Sequence, residues 1–131
     1  MAAVTVVRPR PVSPPGYEFN DRAQAAADID VGELVSITSA TPGNGYEYVV
    51  DLAAADAEPQ AIDGIALMDA KAGQLVSIGI IGEMDGFSGM TRGARLYPSA
   101  TVPGGIDTTA TTNLNANMKA VTASRIRYNF S

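Results

Sequence analysis

Short runs that alternate apolar and polar residues, each cut off by glycine or proline, set the limits on what this chain can become. Tyr46, Tyr48, Val50 and Leu52 alternate with Glu47, Val49 and Asp51. Val76, Ile78 and Ile80 alternate with Ser77, Gly79 and Ile81, and Ile126, Tyr128 and Phe130 with Arg125, Arg127 and Asn129. Successive side chains of a strand point to opposite faces, so each run predicts a strand with one inward face. Weaker strands fit 34–38, 62–68, 95–97 and 118–122. Helical signal is thin: residues 22–27 and 53–57 offer about a turn each, and isolated helices that short are marginal.

Turn chemistry separates the runs. Thr41-Pro42-Gly43-Asn44-Gly45 suits a hairpin loop, Pro103-Gly104-Gly105 a tight turn, and Asp85-Gly86 and Ser88-Gly89 break the chain after Gly82. Residues 107–117, rich in Thr and Asn, read as an exposed loop. Gly32-Glu33-Leu34-Val35-Ser36-Ile37 recurs as Gly73-Gln74-Leu75-Val76-Ser77-Ile78, with an echo at Gly93-Ala94-Arg95-Leu96-Tyr97. In each copy a glycine turn feeds a strand; two good copies do not make a solenoid. The predicted fold is therefore all-β, a small β-barrel or sandwich over 23–131.

Residues 1–22 differ from the rest. They hold Pro9, Pro11, Pro14 and Pro15, which lack the N–H that central strands need and push their predecessors towards extended geometry. An extended, Pro-rich N-terminal arm is predicted, with Val4, Thr5, Val6 and Val7 able to pair as a short edge strand. A disordered N-terminus is the alternative. With 131 residues the chain fits one domain, but it has no Trp and only three Phe, so its core is thin in large side chains. Oligomerisation or docking is expected to add stability.

Charge is segregated along the chain. Residues 1–22 carry a net +1, residues 23–91 a net −10 (eleven acids against Lys71), and residues 92–131 a net +4. The acidic middle argues against a nucleic-acid-binding domain, although the C-terminal third leaves room for a small basic patch. The opening residues develop no secretory h-region, and no apolar run is long enough to span a bilayer, so neither a leader nor a membrane partner is expected.

Catalytic chemistry finds little to work with. There is no His and no Cys, which removes the usual general base, the common metal ligands and every Ser-His-Asp or Cys-His arrangement. A carboxylate pair needs two acids in one cleft, and these acids sit beside turns or on outer faces. Asp28-Ile29-Asp30-Val31-Gly32-Glu33 hints at a calcium loop, but its fifth and twelfth positions are Gly32 and Ser39. Gly79-Ile80-Ile81-Gly82 and Gly86-Phe87-Ser88-Gly89 lack the Lys-Ser/Thr pair of a phosphate loop and read as turns. Lys71, in Met68-Asp69-Ala70-Lys71, sits where a biotin or lipoyl carrier keeps its lysine, with only half of the expected neighbours. No enzyme activity, metal or cofactor is expected.

The order of segments carries one resemblance. Ala61-Ile62-Asp63-Gly64-Ile65-Ala66-Leu67 is followed by Asp69-Ala70-Lys71-Ala72-Gly73-Gln74-Leu75-Val76-Ser77-Ile78, by Gly82-Glu83-Met84, by Gly93-Ala94-Arg95-Leu96-Tyr97-Pro98-Ser99, and by a closing strand through Arg125-Ile126-Arg127. Over about residues 28–130 this resembles the head decoration, or capsid cement, proteins of tailed bacteriophages; Pro98, which should end its strand early, departs from the pattern. The resemblance implies a β-barrel or β-tulip-like domain on the outer capsid surface of the virion, made in the host cytoplasm. It implies a homo-oligomer, with a trimer favoured, bridging major capsid protein subunits. It also implies an N-terminal arm that adds a strand to the capsid, here Val4, Thr5, Val6 and Val7, with Arg8 and Arg10 meeting acidic groups. Arg125 and Arg127, on the outer face of the last strand, are candidates for contact with a neighbouring protomer. The competing readings are a tail or head-fibre base, a receptor- or carbohydrate-binding β module, and a carrier domain using Lys71.

Overall fold

A computed structural model describes residues 4–12, 17–53, 62–99, 101–108 and 118–130, without the side chain of Arg8. The described chain is all-β, as expected. Its strands are β1 (Thr5–Val12), β2 (Glu18–Ala25), β3 (Leu34–Ile37), β4 (Tyr48–Leu52), β5 (Gly64–Ala66), β6 (Leu75–Ser88), β7 (Arg95–Pro98), β8 (Ile106–Asp107), β9 (Met118–Ala120) and β10 (Ile126–Asn129). They form one large mixed sheet in the order β2-β4-β3-β5-β6-β10-β9-β7-β8, with β1 on β6. As a whole this sheet is not a closed barrel. Within it, a further pairing of β2 with β6 joins β2, β4, β3, β5 and β6 in a cycle.

Two cores follow from this arrangement. Inside the cycle lie Ala23, Ala25, Val35, Val50, Ala66, Val76 and Ile78, with Ile29 and Ala70 at one end. A ring of so few strands is narrow, and only Ala, Val and a rare Ile fit within it. The second core holds Leu34, Ile65, Met84, Phe87, Leu96, Met118, Ile126 and Tyr128 between the outside of β3 and β5 and the β6-β10-β9-β7-β8 part of the sheet. Neighbours in sequence therefore serve different cores: Leu34 the outer and Val35 the inner, Ile65 the outer and Ala66 the inner.

β6 is the shared spine. Its first half pairs with β5 on one edge and β2 on the other, and its second half with β10 and β1. The expected chain break at Asp85-Gly86 is instead an irregularity inside this 14-residue strand, with Gly86 at φ 96° and its N–H donated to the Asp85 carboxylate at 2.9 Å. Gly79-Ile80-Ile81-Gly82 is not a turn either. A Cβ at Gly82 would lie 2.9 Å from both the Tyr128 hydroxyl and the Tyr17 ring, and one at Gly79 would collide with the same hydroxyl. The two glycines form the slot that admits the Tyr128 ring, a cross-strand aromatic covering a glycine.

The glycine-into-strand repeat is real. Gly32, Gly73 and Gly93 all have φ between 85° and 90°, and each precedes a strand, β3, β6 and β7. Thr41-Pro42-Gly43-Asn44-Gly45 connects antiparallel β3 and β4, and Pro103-Gly104-Gly105 connects β7 and β8. Pro98 stays within β7, paired with Ile106. Asp107, expected on an exposed loop, is fully buried in β8. The rest of that loop, at 109–117, and most of the short helix expected at 53–57 lie outside the described residues. The turn of helix expected at 22–27 is largely the end of β2, because Ala23 and Ala25 alternate into the narrow ring.

The N-terminal segment needs the largest correction. Residues 5–12 are extended, as predicted, but they are no detached arm: β1 pairs antiparallel with β6 from Thr5↔Ser88 to Val12↔Glu83. Val4 is buried in the outer core, and its N–H donates to the Ile106 carbonyl at 3.1 Å. Residues 18–22 belong to β2, so no domain boundary falls at 22/23. Prolines are tolerated because β6 is the one strand that β1 pairs with among the described residues, and its register slips between Val6 and Arg10, around Pro9. Pro9 packs over Gly32, where a Cβ would come within 2.7 Å of its ring.

Candidate docking face and charged rungs

Val4, Thr5, Val6 and Val7 begin β1, and two of them meet a concavity. Val4 and Val6 line an apolar cleft of about 160 Å³ with Gly32, Glu33, Val102 and Ile106. Its rim is exposed: Val6 shows 56 % of its surface and Val102 54 %, and the adjacent Val7 shows 68 %. Covering exposed valines fully recovers about 1.5–3 kcal/mol of transfer free energy each. Glu33, half-buried in the lining, has its carboxyl raised above the usual value by burial, against the opposing N–H of Asp30. The nearby Ser99 hydroxyl, itself buried, accepts from the N–H groups of Thr101 and Val102 and shapes the loop that carries Val102.

The predicted contact arginines are engaged within the chain. Arg127 donates twice to one oxygen of Glu83, at 2.9 and 2.8 Å. Arg125 pairs with Glu83 and Asp85, each at 3.6 Å, and Arg10 with Asp85 at 3.7 Å. β1, β6 and β10 thus carry a laced strip of alternating charge across one face. The N–H of Gly86 chiefly holds the Asp85 carboxyl below its usual value, with the Ser124 hydroxyl, Arg125 and Arg10 adding to it. Arg8 lies on β1.

Sequence reasoning missed a second rung. The register places Val12, Glu83, Arg127, Lys119 and Arg95 directly opposite one another across β1, β6, β10, β9 and β7. Arg92 joins Lys119 and Arg127 around a shallow concavity of about 450 Å³. The only signal for this rung was the net charge of the last forty residues, and strand register was needed to gather it.

The other flagged motifs resolve simply. Asp28, Asp30 and Asp69 flank the Ile29↔Ala70 bridge, and no group of acids able to hold a metal ion occurs among the described residues. Lys71 is exposed and pairs with Asp28 at 3.5 Å. Tyr48, placed by alternation on the inner face, lies beyond the rim of the ring with 39 % of its surface exposed. The Tyr128 hydroxyl is buried with no hydrogen-bond partner among the described residues, and burial, with Tyr17 nearby, raises its pKa well above the ordinary phenol value. No helix among the described residues is long and apolar enough to cross a membrane. No protein-family model matches the chain, and no curated protein matches it.

Proposed function

We propose that this chain is a virion structural protein that decorates and stabilises the outside of a phage capsid by bridging major capsid protein subunits. The segment resemblance over residues 28–130 suggests the role. The observation that carries the docking face is that Val4 and Val6, expected from sequence to meet the shell, line an apolar cleft with an exposed valine rim. The strand stays on its own sheet, so the capsid partner comes to the cleft and to the exposed side of β1 rather than receiving a free arm. A strand or loop laid along β1 would gain apolar contacts with Val6, Val7 and Val102. Arg10 pairs with Asp85 at 3.7 Å yet keeps most of its side chain exposed, so an acidic group of the shell can still reach it.

The test is cosedimentation with expanded heads stripped of decoration. Wild-type protein is expected to pellet with heads, and Val6→Asp/Val7→Asp to remain in the supernatant with its circular dichroism unchanged, since both side chains are exposed. Failure of the wild type to pellet would remove the capsid role. Equal pelleting by the variant would remove the cleft as the docking face.

A further inference from the structure

Three cations stand side by side on this molecule, and two of them have no acidic partner among the described residues. Arg127, Lys119 and Arg95 are direct cross-strand neighbours on β10, β9 and β7. Directly opposed side chains lie about 5 Å apart at Cβ, and like charges there destabilise a sheet. Glu83 balances Arg127. Lys119, Arg95 and the adjoining Arg92 are exposed and have no acidic partner among the described residues. A fold gains no stability from this row, so its use lies in what approaches it.

The matching surface is on the same chain. Ile29 and Ala70 exchange backbone hydrogen bonds at 2.8 Å and are buried at one end of the ring. Strand alternation then turns Asp28, Asp30 and Asp69 outward around a concavity that they share with Lys71. Lys71 is the one base among residues 23–91. Within one molecule the two patches do not meet. Asp28 lies beside the start of β6, its carboxylate accepting the Ala72 N–H at 3.0 Å, whereas the basic rung crosses β6 at Glu83. β6 begins at Leu75, and the eight residue steps from there to Glu83 span up to about 26 Å of strand.

The geometry points to a head-to-tail contact in which Arg92, Arg95 and Lys119 of one copy meet Asp28, Asp30 and Asp69 of a second. This deepens the oligomer expected above and rests on that expectation only in taking a second copy as the partner. A long nucleic acid is the poorer fit, because the net charge of −5 and the neighbouring Glu83 and Asp85 repel a polyanion that extends past the rung. The contact is heterologous: each copy keeps one free basic and one free acidic patch, so the assembly either closes into a ring or grows.

Sedimentation equilibrium without heads tests this independently of shell binding. The wild type is expected to self-associate at about 0.01 M salt and to dissociate near 1 M, where the Debye length falls from about 30 Å to 3 Å. Arg95→Gln/Lys119→Gln and Asp28→Asn/Asp30→Asn are each expected to be monomeric, and Asn at 28 keeps the acceptor for the Ala72 N–H. Mixed, the two variants retain one complementary pair of patches and should stop at a 1:1 heterodimer. A monomeric wild type at low salt, self-association untouched by either variant, or a mixture that stays monomeric would each overturn the contact.

Discussion

The interior of the five-strand cycle is made of Ala, Val and Ile, whereas the core outside it is mainly Leu, Met, Phe, Ile and Tyr, with Val4, Ala53 and Ala120 among them. Both are built on the same strands, β3, β5 and β6, whose alternate side chains enter one or the other. Side-chain size therefore follows enclosed width: a narrow ring excludes large residues, and the broader space between layers requires them.

Four experiments sharpen or break that contrast. Leu96→Ala, at a fully buried position of the outer core, is expected to cost about 2–5 kcal/mol in urea unfolding, since the broad core cannot close over the lost volume. A loss below about 1 kcal/mol would show that this layer collapses freely. Ala25→Leu tests the ring in the opposite direction, and overpacking should cost about 1–3 kcal/mol. A neutral result would mean that the ring has spare width. Tyr128→Phe removes a buried hydroxyl that has no partner among the described residues and should leave stability unchanged or raise it by up to about 1 kcal/mol. A clear loss would reveal a hydrogen bond at that slot.

The smallest effect is electrostatic and sits on the outer sheet alone. The folded-state pKa of Asp85 is depressed, so its stabilisation is present above the unfolded value of about 4 and is lost as pH falls through the folded value. Melting temperature should therefore fall below about pH 4, and fall less steeply in Asp85→Asn. Ion pairs as open as Arg10–Asp85 are generally worth about 0.2–1 kcal/mol, so parallel pH profiles would assign the whole effect to other carboxylates.

Much of the sheet was legible from alternation and glycine. β3, β4, β6 and β10 emerge where runs of Val, Ile, Leu and Tyr alternate with other residues, and the positive-φ Gly32, Gly73 and Gly93 mark the entrances to β3, β6 and β7. β2 was hidden because its inward residues are Ala23 and Ala25, which carry helix propensity and almost no hydrophobic contrast. The docking of β1 was hidden because prolines describe a backbone's shape, not its neighbour, and that neighbour lies more than seventy residues away in sequence. Of the candidate sites, the valines of the cleft were visible and the basic rung was not. A rung is a property of register between strands that sequence does not align.

The pairing of Thr5 with Ser88 also bears on how the molecule is made. β1 cannot be matched until the long sixth strand has been synthesised, whereas β2 can already meet β4. Contacts so remote in sequence slow folding, towards milliseconds to seconds for topologies of this kind. Until then the valines of β1 wait in solvent, which exposes that strand to aggregation in the nascent chain.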